Sequence, residues 1–302
     1  MSEQRIRPIR PWGLMRHLFL IAGALIAFFP FYWMFVLSTH RSSAIHEFPP
    51  PLIPGDRFWE NFQKVTGTVN VWAAMMNTLI VASVVTFVVL FLDSVAAFAF
   101  SKFSFRGRGI LFGIIMFTFL LPGQLSTIPL FLVMSQVGWV GKLQAVMFPA
   151  FANAFGIFWL RQYFTSAVHV ELIEAATMDG CGFFRQYFHV ALPAARPALA
   201  FLGIFTFIGS WNAFLWPLIV LNNPNQLTLQ VVLSQLQTAH GTDYGMVMMG
   251  AFIAVAPLLT CSARLPVYAL IIAAVIPDRT VGGIFNLQGL TLFILYIVGI
   301  LS

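Results

Sequence analysis

Few residues in this chain could carry covalent chemistry, and they stand apart from one another. No Gly-x-x-x-x-Gly-Lys-[Ser/Thr] loop is present; residues 138–142 hold two glycines and a lysine, without the spacing or the hydroxyl that phosphate and magnesium require. Binding and splitting ATP by that route is therefore excluded. There is no His-Glu-x-x-His helix either. His169 and Glu171 form a His-x-Glu pair with no matching cysteines, and the six histidines are scattered. Cys181 and Cys261 have neither metal nor disulfide spacing, so no metal site is expected. An enzyme buried in an apolar medium would need paired groups on neighbouring segments, and Asp93 with Arg264 suggests no reaction. Asn77, Gln124, Ser126, Trp211 and Asn212 lie in strongly apolar surroundings, where each polar group needs a partner or a watery cavity. Asn77, Gln124, Trp211 and Asn212 are the candidates for a solute path. The competing role is hydrogen bonding between helices. Asp93 sits near one end of its segment, within reach of an interface.

The segments that hold these residues decide the class of protein. Of 302 residues, 59% are hydrophobic and 9% charged, against roughly 25% charged in a soluble domain. Mean hydropathy is +0.87. A soluble globule of this size cannot hide that much apolar surface, so the bilayer is the solvent. A spanning helix needs about 20 apolar residues. Six such stretches are read, at about 18–38, 73–100, 110–133, 143–160, 198–221 and 246–260, while 287–301 is short for a span. Backbone amides in lipid need internal partners, which predicts helices and not open sheets. Pro122, Pro129 and Pro217 fall inside the apolar stretches. Arg5, Arg7, Arg10 and Arg16 precede the first stretch, which is longer than a signal-peptide core and lacks a small-residue cleavage site; it reads as a retained first helix.

Charge orients the predicted bundle. With the N-terminus inside, the inner loops hold Arg5, Arg7, Arg10, Arg16, Lys102, Arg106, Arg108, Arg161, Arg185 and Arg196, and the outer loops Arg41, Arg57, Lys64 and Lys142. Ten against four follows the positive-inside rule. This membrane placement, and not nucleic acid, accounts for the net charge of +6. The outer loop at 40–71 is proline-rich (Pro49, Pro50, Pro51, Pro54) and is expected to be stiff. The inner loop at 161–197 is the more informative. Residues 170–178 suit a short helix, acidic at the start, with Leu172, Ile173 and Ala176 giving an apolar side. Ala175 and Ala176 leave room for another surface, Gly180 can end the helix in the left-handed conformation, and Pro193 and Pro197 bracket the start of the next span. A short amphipathic helix exposed in a loop can dock in a partner's groove or lie on headgroups.

Glu174-Ala175-Ala176, then Asp179-Gly180, then Leu192-Pro193 resembles the EAA loop of permease subunits in bacterial ABC importers. Asn77-Thr-Leu-Ile, Ala96 to Arg108, Leu121-Pro-Gly-Gln-Leu-Ser-Thr-Ile-Pro and Trp211-Asn-Ala-Phe-Leu-Trp-Pro217 are similar to the carbohydrate, maltose-type branch of that family. The likeness covers about residues 14–260. It implies an all-α polytopic membrane protein with about six transmembrane helices and a cytoplasmic coupling helix. It also implies that Glu174, Ala175, Ala176, Asp179, Gly180 and Pro193 transmit ATPase closure to the bundle. The expected partners are a second homologous permease, two copies of a cytoplasmic ATPase that bind ATP and magnesium, an extracytoplasmic solute-binding protein, and the lipid bilayer of the bacterial inner membrane. No cofactor is expected in this chain. The expected cargo is a sugar or related carbohydrate, with an ion-coupled secondary transporter as the alternative.

The expected organisation is a cytoplasmic N-terminus (1–17), a permease domain (18–276) with its EAA loop at about 166–195, and an atypical C-terminal segment (277–302). Past Thr260 the sequence departs from the family's usual short aromatic and basic tail, and Arg264 and Pro266 would interrupt a span. A reading-frame change and genuine divergence are both open; sequencing the coding DNA distinguishes them.

Overall fold

The structure is a computed structural model that describes residues 11–238, 243–260, 280–281 and 285–286. The expectations for Arg5, Arg7 and Arg10, for Cys261, Arg264 and Pro266, and for 287–301 lie outside the described residues. The helices are α1 (Pro11–Ser38), α2 (Phe58–Thr68), α3 (Val71–Lys102), α4 (Arg108–Leu120), α5 (Thr127–Gln136), α6 (Gln144–Ala150), α7 (Ala154–Ala167), α8 (Val170–Met178), α9 (Phe183–Gln186), α10 (Leu192–Ala194), α11 (Arg196–Trp211), α12 (Leu215–Val220), α13 (Leu229–Thr238) and α14 (Tyr244–Thr260). A π-helical segment, Tyr187–Ala191, joins α9 to α10. Two short antiparallel strands, β1 (Thr280–Val281) and β2 (Phe285–Asn286), and three short 3-10 turns (Ser42–His46, Gly123–Ser126 and Pro224–Gln226) complete the described elements.

The chain divides into two compact units, 1–70 with 233–302, and 71–232. In the first, α14 packs on α1 and α2 through the rings of Phe35, Phe58 and Phe252, with Phe35 and Phe252 centroids 5.2 Å apart. Asn61 is buried and donates from its amide to the carbonyls of Ser38 (2.8 Å) and His40 (2.9 Å), which fixes α2 against the end of α1.

The second unit is built on α3. Its buried positions Val71, Ala74, Thr78, Val81, Val85 and Val89 recur every three or four residues, the spacing of one helix face. The opposite face carries Ile80, Phe87 and Phe91, exposed by 45%, 74% and 44%. A helix apolar all round needs lipid or protein on every side. Helices α7 and α11 pack against the buried face.

By length and composition, the described residues contain one uninterrupted helix able to cross a bilayer, Val71–Lys102. They hold up to three spans if two bent pairs each count as one. These are Arg108–Leu120 with Gly123–Gln136, bent by 96°, and Phe183–Ala194 with Arg196–Trp211, bent by 81°. Phe28–Ser38 and Tyr244–Pro257 are shorter apolar helices. The predicted stretches at 110–133, 143–160 and 198–221 are thus helical but broken, where the sequence suggested continuous spans. Two of the breaks have a local cause. Leu121 takes an extended ψ of 132° before Pro122, as a residue ahead of proline prefers. Asn153 leaves the helical region to cap α7, its Oδ1 accepting from the Gly156 amide at 3.2 Å.

Candidate functional site

Helix α8 forms over the nine residues that the sequence pattern marks, and its end is built as expected. Gly180 has φ of +75°, the Gly180 amide donates to the Thr177 carbonyl at 3.0 Å, and the Cys181 amide donates to the Ala176 carbonyl at 2.9 Å. These two bonds around a left-handed glycine are a Schellman stop, which leaves Asp179 and Gly180 exposed just beyond the helix.

One ridge of α8 faces the bundle. Ile173 and Ala176 are buried, and Ile173 joins a core with Phe98, Phe164, Tyr187 and Leu202. The sequence groups Leu172 with Ile173 and Ala176 on one apolar side; the structure buries the latter two and leaves Leu172 51% exposed, because it sits about 100° around the helix from Ile173. Ala176 is likewise taken up by the core, so of the two alanines only Ala175 faces outward. The outward surface therefore combines Glu174, Ala175, Thr177 and Asp179 with Val170, Leu172 and Met178, the last 88% exposed.

The segment beyond α8 was not legible in the sequence. Residues 183–194 form a second helical run that seats the loop on α3. Gln186 is buried, and its Nε2 donates to Thr177 Oγ1 (3.0 Å) and to the Cys181 carbonyl (2.8 Å), pinning the end of α8. Tyr187, in the π-segment, shares a 2.6 Å hydroxyl hydrogen bond with Ser94 of α3. π-segments often mark functional places in helices. Pro193 is exposed within α10, and the chain turns at Ala195 because Pro197 has no amide hydrogen to offer the Pro193 carbonyl and its ring crowds that oxygen. Replacing Gln186 by leucine removes both bonds at similar volume, at about 1 kcal/mol each. Faster hydrogen exchange at the Cys181 amide, with the chain still inserted, is the expected result; unchanged exchange would show that the clamp is idle.

The four predicted solute-path residues are not gathered into one cavity. Asn77 is half-buried and donates to the carbonyls of Asn225 and Leu227, both at 3.0 Å, the helix-tying role that the sequence also allowed. Gln124 lies exposed in the turn before α5. Trp211 is buried and stacks on Phe207 at 5.9 Å, while Asn212 is exposed at the end of α11 with Oδ1 3.5 Å from Gln230 Nε2. A cavity of about 410 Å³ opens instead among α3, α5, α6, α11 and α12. Its polar lining comes from Asn153, Thr206, Ser210 and Trp216. Thr206 Oγ1 is buried and has no hydrogen-bond partner among the described residues, and the Trp216 indole donates to the Ala145 carbonyl at 2.9 Å. These residues were missed because threonine, serine and asparagine in or beside apolar helices give no pattern until the segments are packed.

Residues 90–277 match a family described as the binding-protein-dependent transport system inner membrane component. The chain belongs to that family. It is thus a component of a membrane transport system. The family match runs past Thr260, beyond the end of the likeness read from the sequence. Among relatives, the family member named lactose transport system permease protein LacG from Rhizobium radiobacter is 32% identical over 246 residues, 82% of this chain and 89% of its own. The sn-glycerol-3-phosphate transport system permease protein UgpE of Rhizobium meliloti (strain 1021) is 33% identical over 261 residues, 83% and 91% of the two chains. The arabinooligosaccharides transport system permease protein AraQ of Halalkalibacterium halodurans is 28% identical over 85% of this chain and 92% of its own. A crystal structure of a bacterial ABC transporter involved in the import of the acidic polysaccharide alginate contains a chain with the same fold. Its TM-score is 0.70 at 24% identity, covering 92% of this chain and 99% of that one.

Proposed function

We propose that this family member is one of two permease subunits of an ATP-driven ABC importer for a sugar or a related hydroxylated solute. The relatives named for lactose, arabinooligosaccharides and glycerol phosphate support that cargo class, and the ion-coupled alternative finds no support in the family. The complex would hold a second homologous permease, two cytoplasmic ATPase subunits and an extracytoplasmic binding protein, with ATP and magnesium on the ATPase. The N-terminus and α8 would face the cytoplasm, as the excess of arginine and lysine in those loops favours.

The observation that carries this reading is α8 itself. It is a short helix with one ridge sunk in the bundle and the rest of its surface, apolar and acidic, left uncovered. A groove on the ATPase would receive Leu172, Ala175 and Met178, with Glu174 and Asp179 meeting donors at its rim. A shift of the ATPase would then pass through Ile173, Gln186 and Tyr187 to α3. The cavity lined by Asn153, Thr206, Ser210 and Trp216 would serve the solute path, with the orphan Thr206 hydroxyl free to pair with a passing hydroxyl.

The test is co-purification of the ATPase from detergent-solubilised membranes. Glu174→Lys and Met178→Asp should each lose the ATPase while the permease still inserts and runs as a monodisperse species. Absence of any ATPase from the wild-type preparation would refute the importer reading.

A further inference from the structure

The segment between α1 and α2 carries an apolar run that its own unit does not absorb. Phe48-Pro-Pro-Pro-Leu-Ile-Pro54 is uncharged and lies between Glu47 and Asp56. Phe48 is 97% exposed, Leu52 53% and Ile53 78%. Two bonds close the neck of this loop on the end of α1: the Gly55 amide donates to Thr39 Oγ1 at 2.7 Å, and the Arg57 amide to the Thr39 carbonyl at 3.0 Å. The approach is close, since a Cβ on Gly55 would lie 2.7 Å from the Thr39 carbonyl oxygen.

From that neck the tip runs back along α1. The Tyr32 hydroxyl donates to the Leu52 carbonyl at 2.7 Å. Tyr32 lies six residues before Ser38, about 9 Å down the helix axis at 1.5 Å per residue. Leu25, Phe28 and Phe29 share its face of the helix, exposed by 65%, 50% and 46%. The Leu52 backbone is therefore held beside an apolar stripe that α1 already turns outward. The backbone suits the same surroundings. Irregular chain is kept out of lipid by amide hydrogens without acceptors, and four of these seven residues are prolines, which have none. Glu47 and Asp56, both exposed, stand at the two ends of the run and can stay in water.

We propose that Phe48, Leu52 and Ile53 insert at the acyl–headgroup boundary of the outer leaflet, so that this loop anchors the outer end of α1 in lipid. The proposal goes beyond the importer reading; it rests on α1 crossing the membrane, and its choice of leaflet on the inside placement of the N-terminus. It is tested by spin labels at Phe48→Cys and Ile53→Cys, in a Cys181→Ser, Cys261→Ser background, on the assembled transporter in phosphatidylethanolamine–phosphatidylglycerol nanodiscs. Ile26→Cys serves as the lipid control and Gln63→Cys as the water control. The logarithm of the oxygen-to-nickel-chelate collision ratio should be positive at 48 and 53, as at 26, and negative at 63. Negative values at 48 and 53 with a positive value at 26 would place the loop in water and overturn the proposal. Shielding of 48 and 53 from both reagents would show a protein covering the loop and overturn it equally. A negative value at 26 would remove the premise that α1 crosses the membrane and overturn the proposal by that route, a failure distinct from loss of ATPase binding.

Discussion

Gly180→Val is expected to stop ATP-driven uptake while leaving the chain inserted in the membrane. A Cβ at Gly180 would meet no atom within 4 Å, so crowding plays no part and the penalty is purely one of backbone conformation. At φ of +75° a residue with a side chain pays about 1–2 kcal/mol, more if β-branched. A nine-residue helix has little stability of its own to set against that cost. Without the left-handed stop, the bonds from Gly180 to Thr177 and from Cys181 to Ala176 are lost together, and Met178 and Asp179 lose their fixed place on the proposed docking face. Asparagine tolerates this conformation, so the order of uptake in reconstituted vesicles should be glycine, asparagine, alanine, valine. A 1.4 kcal/mol penalty corresponds to about a tenfold loss, which sets the size expected for alanine. Full uptake by the valine variant would show that the end of α8 takes no part in coupling.

The second large effect is expected at the contact of α3 with α7. Gly156 lies in the first turn of α7, and a Cβ there would run into the carboxyl group of Asp93 and come within 3.1 Å of Leu202 Cδ2. Asp93 is buried, and its Oδ2 has no hydrogen-bond partner among the described residues. Glycine to alanine in an unconstrained helix is favourable by about 1 kcal/mol. Here the sign should reverse, because α3 and α7 must part to admit the methyl group, and overpacking costs about 1–3 kcal/mol. Gly156→Ala should therefore lower the melting temperature of the solubilised protein, and Gly156→Leu should not accumulate. Asp93→Ala in the Gly156→Ala chain removes the obstructing carboxyl and should recover most of the loss, a coupling that a double-mutant cycle reads directly. If the two substitutions are additive, the carboxyl does not set the helix spacing.

How much could be read in advance differs from place to place, for physical reasons. The helix at 170–178 and its stop at Gly180 were legible because capping, dipole and glycine conformation are local: all the information lies within a dozen residues. How that helix divides its apolar residues between the bundle and the outside was not legible. Leu172 and Ile173 are equally apolar, and packing alone separated them. The run at 183–194 was hidden by its aromatic, proline-containing composition, since Phe98, Phe164 and Ser94, which hold it, lie far away in the chain. Gln186 looked like any surface glutamine until Thr177 and Cys181 came within its reach. Among the intended path residues, Asn77 proved to be bound to backbone carbonyls some 150 positions on, a pairing that no local pattern encodes. Hydropathy averages over a window and so could not see the breaks at Pro122 and Asn153.

Within residues 71–232, the helices α4, α5, α6, α7, α11 and α12 each contain a glycine or a proline; α3 contains neither. It is an unbroken rod of 32 residues, about 48 Å long at 1.5 Å per residue. Near one end Tyr187 holds Ser94, and near the other Thr78 accepts from the Leu229 amide at 2.8 Å. A rod held in this way has no joint in which to lose a displacement. Movement imposed beside Tyr187 would be felt beside Leu229, with its direction reversed where the rod pivots between them. In the proposed importer, alternation of the two ends would then be a matter of leverage: one gate would shut because the other is pulled open, with no message relayed residue by residue along the way.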